Sequence, residues 1–177
     1  MATLSKIFWG VRAVLLGRLF GHFGLPGYLG KPTLVLGVRG IHVGRRVRIF
    51  PGLRAECHQN GTIRIGDNVS IGQNFHLVAI GPLEIGAGTL ISGSVFVTDM
   101  DHEYRDTTRP VHEQEYLYAR TKIGENCFLG IGSRILAGTI LGDGCIVGAN
   151  SVVRGVYPPH SVIVGIPGRI VKQVEAE

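Results

Sequence analysis

The sequence predicts an all-β protein made of stacked three-sided coils, and three observations support this prediction. Glycine makes up 27 of the 177 residues, roughly twice its usual share of ~7%, without the Gly-X-Y period of collagen. Aliphatic residues recur at every sixth position over long stretches, and one long polar segment interrupts that period. Neither the period of a helix nor that of an ordinary strand produces a six-residue step.

The six-residue step is clearest in the C-terminal third of the chain. It places aliphatic residues at Ile123, Leu129, Ile135, Leu141, Val147 and Val153. Six residues make one short strand and one corner, so three such units make one coil of triangular section. The aliphatic side chains then point inward, with Ile123 stacked below Leu141 and Leu129 below Val147. Stacked coils bury an apolar column that no single repeat could bury alone.

Earlier parts of the chain repeat the pattern in pieces. They are Val43-Gly44, Ile65-Gly66, Ile71-Gly72 and Ile85-Gly86, followed by Ile91 and Val97. The step from Val43 to Ile65 and the step from Ile65 to Ile85 are both slightly longer than one coil of three units. These longer steps predict small bulges near Glu56–Gly61 and Ala79–Pro82.

These blocks resemble the hexapeptide-repeat acyltransferases, in particular their sugar O-acetyltransferase-like branch. The resemblance covers roughly residues 36–173. It implies a left-handed parallel β-helix over residues 36–177, preceded by a helical or irregular segment at residues 1–35. It also implies a homotrimer, with sites shared between subunits, that moves acetyl from acetyl-CoA to a sugar hydroxyl, for instance of a surface polysaccharide or lipopolysaccharide precursor. N-acetylation of an amino sugar and a non-catalytic β-helix scaffold are the alternatives.

The interruption at residues 98–122 is the candidate catalytic loop. Positions 99–122 hold 10 of the 31 charged residues and three of the five tyrosines. Long polar loops on rigid scaffolds are more often functional than accidental, although a solvated mobile insertion is the alternative. The resemblance implies that His102 is the general base, since an imidazole can accept a hydroxyl proton at neutral pH. Asp99 or Asp101 would orient its ring, and Met100 stands where many relatives carry a second histidine.

The acceptor side of the predicted site falls one coil before this loop. Asn74 and His76 lie on a face that can meet the acceptor in relatives, and an exposed strand position is the alternative for His76. Gamma-class carbonic anhydrases share the fold and bind a metal through three histidines, two of them five positions apart. Neither interval among His76, His102 and His112 matches that pattern, so no metal site is expected.

The final coils, Phe128–Gly132 and the run from Val147 to Lys172, resemble the end of sugar and xenobiotic acetyltransferases. That resemblance implies that Ile131 and Ala149 line the pantetheine arm of acetyl-CoA. It places Arg154, Arg169 and Lys172 near the nucleotide, where cations suit phosphate groups. A basic cap that keeps the last coil soluble is the alternative. Two positions depart from the family pattern, Arg154-Gly155 in place of Thr-Lys and Gly168 in place of alanine.

Net charge indicates the kind of ligand the protein binds, and cysteine content indicates its compartment. The net charge of +5 favours anionic ligands, but no Walker loop, dinucleotide fingerprint or helix-turn-helix pattern is present, so no nucleic acid partner is expected. Cys57, Cys127 and Cys145 form no CxxC pair. They predict neither a disulfide framework nor a zinc ribbon and fit a reducing, cytoplasmic compartment.

Residues 4–23 are apolar and basic, with Lys6, Arg12 and Arg18. Their uninterrupted apolar stretch is shorter than the ~20 residues of a membrane-spanning helix, and no cleavage site of a secretory signal follows it. The segment predicts a short helix that lies on the β-helix or at a membrane surface, and packing against the protein's own trimer is the alternative. Weak contact with a membrane surface would place the protein at the inner face of the cytoplasmic membrane.

Overall fold

A computed structural model describes residues 2–174 as one helix, two short 3₁₀ turns and many short strands. Helix α1 spans Ala2–Gly17, and the 3₁₀ turns span Val38–Gly40 and Val111–Glu113. The strands are β1 (His22–Phe23), β2 (Tyr28–Leu29), β3 (Leu34–Leu36), β4 (Ile41–Val43), β5 (Arg48–Ile49), β6 (Arg54–Cys57), β7 (Thr62–Ile65), β8 (Ser70–Ile71), β9 (His76–Ala79), β10 (Pro82–Ile85), β11 (Leu90–Ile91), β12 (Phe96–Thr98), β13 (Met100–His102), β14 (Tyr116–Tyr118), β15 (Thr121–Ile123), β16 (Phe128–Leu129), β17 (Arg134–Ile135), β18 (Ile140–Leu141), β19 (Ile146–Val147), β20 (Val152–Val153), β21 (Val156–Tyr157), β22 (Ser161–Gly165) and β23 (Gly168–Gln173).

These strands form three sheets that are the three sides of a prism. Sheet A has the order β1-β4-β7-β10-β15-β18-β21, sheet B the order β2-β5-β8-β11-β16-β19-β22-β23, and sheet C the order β3-β6-β9-β12-β17-β20. Neighbouring strands within each sheet are parallel, except that β23 returns antiparallel to β22. The predicted left-handed parallel β-helix with an N-terminal helix is therefore confirmed.

The core is the column of aliphatic side chains that the six-residue step predicts. Ile123 pairs in register with Leu141, and Leu129 pairs with Val147. All four side chains are at most 1% exposed. Since each coil stacks its aliphatics on the next, burial is continuous along the whole prism axis.

Every irregularity of the repeat falls on one edge of the prism, the corner where the chain passes from sheet C to sheet A. Between stacked inward positions at this corner, the step from Ala55 to Ile65 and the step from Leu77 to Ile85 both exceed the usual six. These are the two bulges that the sequence predicts. The much longer step from Val97 to Ile123 lies at the same corner. We call this edge the insertion edge.

The first coil begins earlier than the sequence boundary at residue 36 suggested, because β1 at His22–Phe23 already pairs with β4. Phe23, Leu29 and Val35 keep the six-residue step, but an aromatic residue replaces the first aliphatic. Helix α1 packs on this coil through Trp9, whose ring lies 5.6 Å from those of Tyr28 and Phe50. Within residues 2–174, no helix has the length and apolar character needed to cross a membrane.

Candidate functional site

The loop on the insertion edge is held at its base by a β-hairpin. Strand β12 ends at Thr98, and β13 then pairs antiparallel with β14, with His102 opposite Tyr116 and Met100 opposite Tyr118. At the tip, the largely buried Gln114 donates hydrogen bonds from Nε2 to the carbonyls of Asp106 and Arg109, at 2.8 and 3.0 Å. His102 therefore sits on a paired strand, although the sequence predicts only an extruded loop here.

His102 is the chemically most suggestive residue of this hairpin. Its ring packs edge to face against Tyr116, with centroids 5.0 Å apart. Its Nδ1 atom is buried and has no hydrogen-bond partner among the described residues. A buried polar atom without a partner costs about 1–3 kcal/mol, so a hydrogen bond to this nitrogen from a group outside the chain would remove that cost.

Asp99 does not orient His102, which corrects the expectation from the sequence. Its side chain is fully buried, and its two oxygens accept the backbone N–H groups of Ile80 and Gly81, at 2.8 and 3.0 Å. Burial raises the pKa of the Asp99 carboxyl, and these two hydrogen bonds partly oppose the rise. Asp99 thus fastens the start of the hairpin to the corner of the preceding coil.

Asp101 and Arg154 contact each other at the base of the hairpin. Asp101 accepts the backbone N–H of His102 through Oδ1, at 2.9 Å, so it touches the main chain of the histidine and not the ring nitrogen Nδ1. Its Oδ2 lies 3.4 Å from Nη1 of Arg154. Arg154 lies on the insertion edge because it directly follows β20 of sheet C and precedes β21 of sheet A. It is therefore a contact of the hairpin base, apart from Arg169 and Lys172 on β23.

Asn74 and His76 lie together on the outer face of sheet C, as the acceptor-side expectation requires. They line a groove of about 340 Å³ with Phe96 and Arg134. The rings of His76 and Phe96 are 5.0 Å apart, and Arg134 donates to the carbonyl of Ser94 at 2.7 Å. The groove offers a cation, an amide and an aromatic ring, which is a combination that can hold a polar ring-shaped ligand.

A buried carboxylate supports one side of this groove. Glu56 is 6% exposed, contacts the guanidinium of Arg54 and lies 3.1 Å from His58 and 3.3 Å from His76. Burial by itself would raise the pKa of Glu56, but the hydrogen bonds from Arg54, His58 and His76 outweigh it and hold that pKa below its ordinary value. The carboxylate therefore stays charged and fixes the His76 ring.

The predicted donor-side residues lie at the other edge of sheet C and at the C-terminal end. Ile131 and Ala149 occupy stacked corners between sheets B and C, where the N–H of Asn150 donates to the carbonyl of Ile131 at 2.8 Å. Ile131 is 58% exposed, and Arg169 and Lys172 are exposed on β23. An exposed apolar corner and two exposed cations fit a ligand that has an apolar arm and phosphates.

The outer face of sheet C is therefore bordered on one side by the hairpin with His102 and on the other by the Ile131 corner. A separate groove of about 620 Å³ lies on sheet A. Its walls carry charges of both signs, including a Lys122–Glu84 pair at 3.6 Å, and none of the predicted site residues lines it. Within residues 2–174, no three His, Cys, Asp or Glu side chains converge as a metal-ligand set.

Sequence reasoning missed Glu56, Phe96, Arg134 and Tyr116. Phe96 follows His76 by the same interval that separates Ile71 from Ile91. Aligning the inward aliphatics would therefore have placed Phe96 beside His76 on one face. No comparable signal marks Tyr116, because it belongs to the hairpin and lies outside the repeat.

Comparisons of the sequence with known proteins find transferases. The family model "Bacterial transferase hexapeptide (six repeats)" matches residues 120–155. The putative lipopolysaccharide biosynthesis O-acetyl transferase WbbJ of Escherichia coli K12 is 33% identical over 94% of this chain and 88% of its own length. The galactoside O-acetyltransferase of the same organism is 30% identical over 92% of this chain and 68% of its own length.

A solved structure shows the same architecture. The N-acyltransferase AntD of Bacillus cereus, in complex with dTDP and 3-hydroxybutyryl-CoA, superposes with a TM-score of 0.77. The match covers 93% of this chain and 88% of that chain at 21% identity. At this identity, the likeness shows that the two chains share a fold.

Proposed function

Since this chain belongs to the bacterial hexapeptide-repeat transferases and is an acetyl-CoA-dependent acetyltransferase, we propose that it acetylates a hydroxyl of a sugar, with His102 as general base. The observation that carries the proposal is the place of His102 on the hairpin that leaves sheet C, with a ring nitrogen that has no hydrogen-bond partner among the described residues. The named activities of the relatives support a saccharide acceptor of the kind found in lipopolysaccharide precursors.

The proposed reaction needs one proton carrier. The donor supplies an acetyl thioester. His102 accepts the proton of the acceptor hydroxyl while the hydroxyl oxygen bonds to the thioester carbonyl carbon. The carbon–sulfur bond then breaks, and His102 returns the proton to the departing thiolate. Backbone N–H groups at a coil corner stabilise the negative charge on the carbonyl oxygen, a contribution of several kcal/mol in acyl transfer.

We assign the acceptor to the groove of Asn74 and His76 and the donor to the Ile131 corner, with Arg169 and Lys172 at its phosphates. The family resemblance supports a homotrimer in which each site is shared by two subunits. A trimer is tested by co-assembling two defective chains, His102→Ala and the double variant Arg169→Ala/Lys172→Ala. Activity above that of either variant alone supports shared sites, and no restoration contradicts them.

The assigned base is tested by His102→Ala against the matched control His112→Ala. His112 lies in the same loop, and its side chain is 81% exposed. Release of free CoA thiol is measured with acetyl-CoA and a panel of nitrophenyl glycosides, and the products are examined for O- and N-linked acetyl. We expect His102→Ala to lose about 10²–10⁴-fold in acceptor-dependent rate, while His112→Ala stays near wild type. Full activity of His102→Ala would refute the base, and N-linked product alone would favour an amino sugar acceptor.

The cytoplasm is the proposed location. The three cysteines form no disulfide, which agrees with a reducing compartment.

A further inference from the structure

Helix α1 is apolar on the side that faces away from the protein. Its contact with the first coil buries Ala13 and half-buries Trp9. On the opposite side, apolar side chains recur at helical spacing and are 37–63% exposed: Leu4, Ile7, Phe8, Val11, Val14, Leu15 and Leu16. An apolar helix surface that is left exposed, on a helix that also carries Lys6 and Arg12, is typical of a helix that contacts a partner or a membrane interface.

The exposed side of α1 continues into the base of the prism. A groove of about 360 Å³ lies there, lined by Leu16, Leu19, Phe20, Pro32 and Leu34 among others. Leu19 is itself 52% exposed. We call the outer side of α1 together with this groove the basal face.

Positive charge is concentrated at the same end of the molecule. Residues 1–55 contain nine Lys and Arg residues and no Asp or Glu, namely Lys6, Arg12, Arg18, Lys31, Arg39, Arg45, Arg46, Arg48 and Arg54. Residues 56–177 contain the other nine cations and all 13 carboxylates. The chain is therefore +9 at its N-terminal end and −4 over the remainder, which gives the overall +5.

We propose that the basal face docks on the surface of a bilayer with anionic headgroups. The apolar side of α1 lies in the interface, and the surrounding cations meet the headgroups, which is the arrangement of interfacial helices. Charge decides against a second copy of this face as the occupant, because two such ends would bring together two sets of nine cations, of which only Arg54 is paired with a carboxylate among the described residues. The proposal concerns a surface remote from His102 and is independent of the acetyl acceptor.

The proposal is tested by co-sedimentation of the full chain with two kinds of vesicle, phosphatidylcholine alone and phosphatidylcholine mixed with phosphatidylglycerol. We expect binding to the anionic vesicles at least about 10-fold tighter than to the neutral ones, and a marked loss at high salt. Phe8→Glu/Leu15→Glu should lose that binding, and Lys6→Gln/Arg18→Gln should weaken it for the anionic vesicles only.

The matched control is Val156→Glu, which changes an aliphatic residue that is 76% exposed on the last strand of sheet A, opposite β1. This variant should bind vesicles like wild type. Unchanged binding by Phe8→Glu/Leu15→Glu, equal binding to both vesicles, or no binding at all would each overturn the proposal. A lower assembly mass for the Phe8→Glu/Leu15→Glu variant in analytical ultracentrifugation, with wild-type secondary structure, would also overturn it, because the face would then be a contact between copies.

Discussion

The clearest structural prediction concerns the carboxylate that fastens the hairpin. Replacing Asp99 with alanine leaves the N–H groups of Ile80 and Gly81 without their acceptors at 2.8 and 3.0 Å. Each unpaired buried N–H costs about 1–3 kcal/mol, with Gly81 at the lower end because water reaches its corner. Removing a buried charge returns part of the desolvation cost, so we expect a net loss of about 2–4 kcal/mol in the free energy of unfolding.

Thermal unfolding measures this loss directly. For a chain of this length, the expected loss corresponds to a Tm lower by about 5–15 °C. Asp99→Asn keeps one acceptor oxygen and should fall between alanine and wild type. Asp106→Ala is the matched control, since Asp106 lies in the same loop, is exposed and bonds only to Thr108 with its side chain. An Asp99→Ala variant as stable as Asp106→Ala would refute the role of Asp99 as the fastener.

Two further predictions concern the same region. Glu56→Gln should lower the free energy of unfolding at neutral pH. The pKa of Glu56 in the folded protein lies below its ordinary value of 4.5. Its carboxylate therefore stabilises the fold above pH 4.5, and this contribution is lost as the pH falls through the folded-state pKa. Denaturant unfolding between neutral and acidic pH should show the gap to wild type closing in acid, and a gap that widens there would contradict the interpretation. Gly81→Ala should destabilise by about 1–3 kcal/mol because the added Cβ would overlap the ring of Tyr118. Gly93→Ala, whose Cβ would meet its nearest neighbour at 3.4 Å, is the control, and equal losses in the two variants would contradict the packing of Tyr118 on Gly81.

The architecture could be predicted from the sequence because the six-residue repeat can be read directly from the positions of the aliphatic residues. Each inward aliphatic specifies both a strand and its neighbour in the next coil, so Ile123 and Leu141 locate each other without any structure. The bulges near residues 56–61 and 79–82 followed from counting. The first coil was missed because Phe23 takes the place of an aliphatic residue. The sequence pattern is broken at this position, although β1 still pairs with β4.

The candidate site was harder to predict from the sequence because it lies where the six-residue repeat is interrupted. The positions of Asp99 and Arg154 depend on corner geometry, which the six-residue count does not contain. Asp99 directly follows the end of β12, close enough to the preceding coil to accept two of its N–H groups. Arg154 directly follows β20 and lies on the insertion edge, but its contact with Asp101 depends on how the hairpin folds back over that edge. In contrast, Asn74 and His76 obey the repeat and are found on one face, as their spacing indicates.

A crystal structure with bound CoA is the decisive test of the proposed site. The pantetheine arm should lie along the Ile131 corner, with the sulfur about 3–4 Å from the place where a hydroxyl held by His102 of the same or a neighbouring chain would attack. CoA seated in the groove of sheet A, with His102 of every subunit surrounded by solvent, would contradict it.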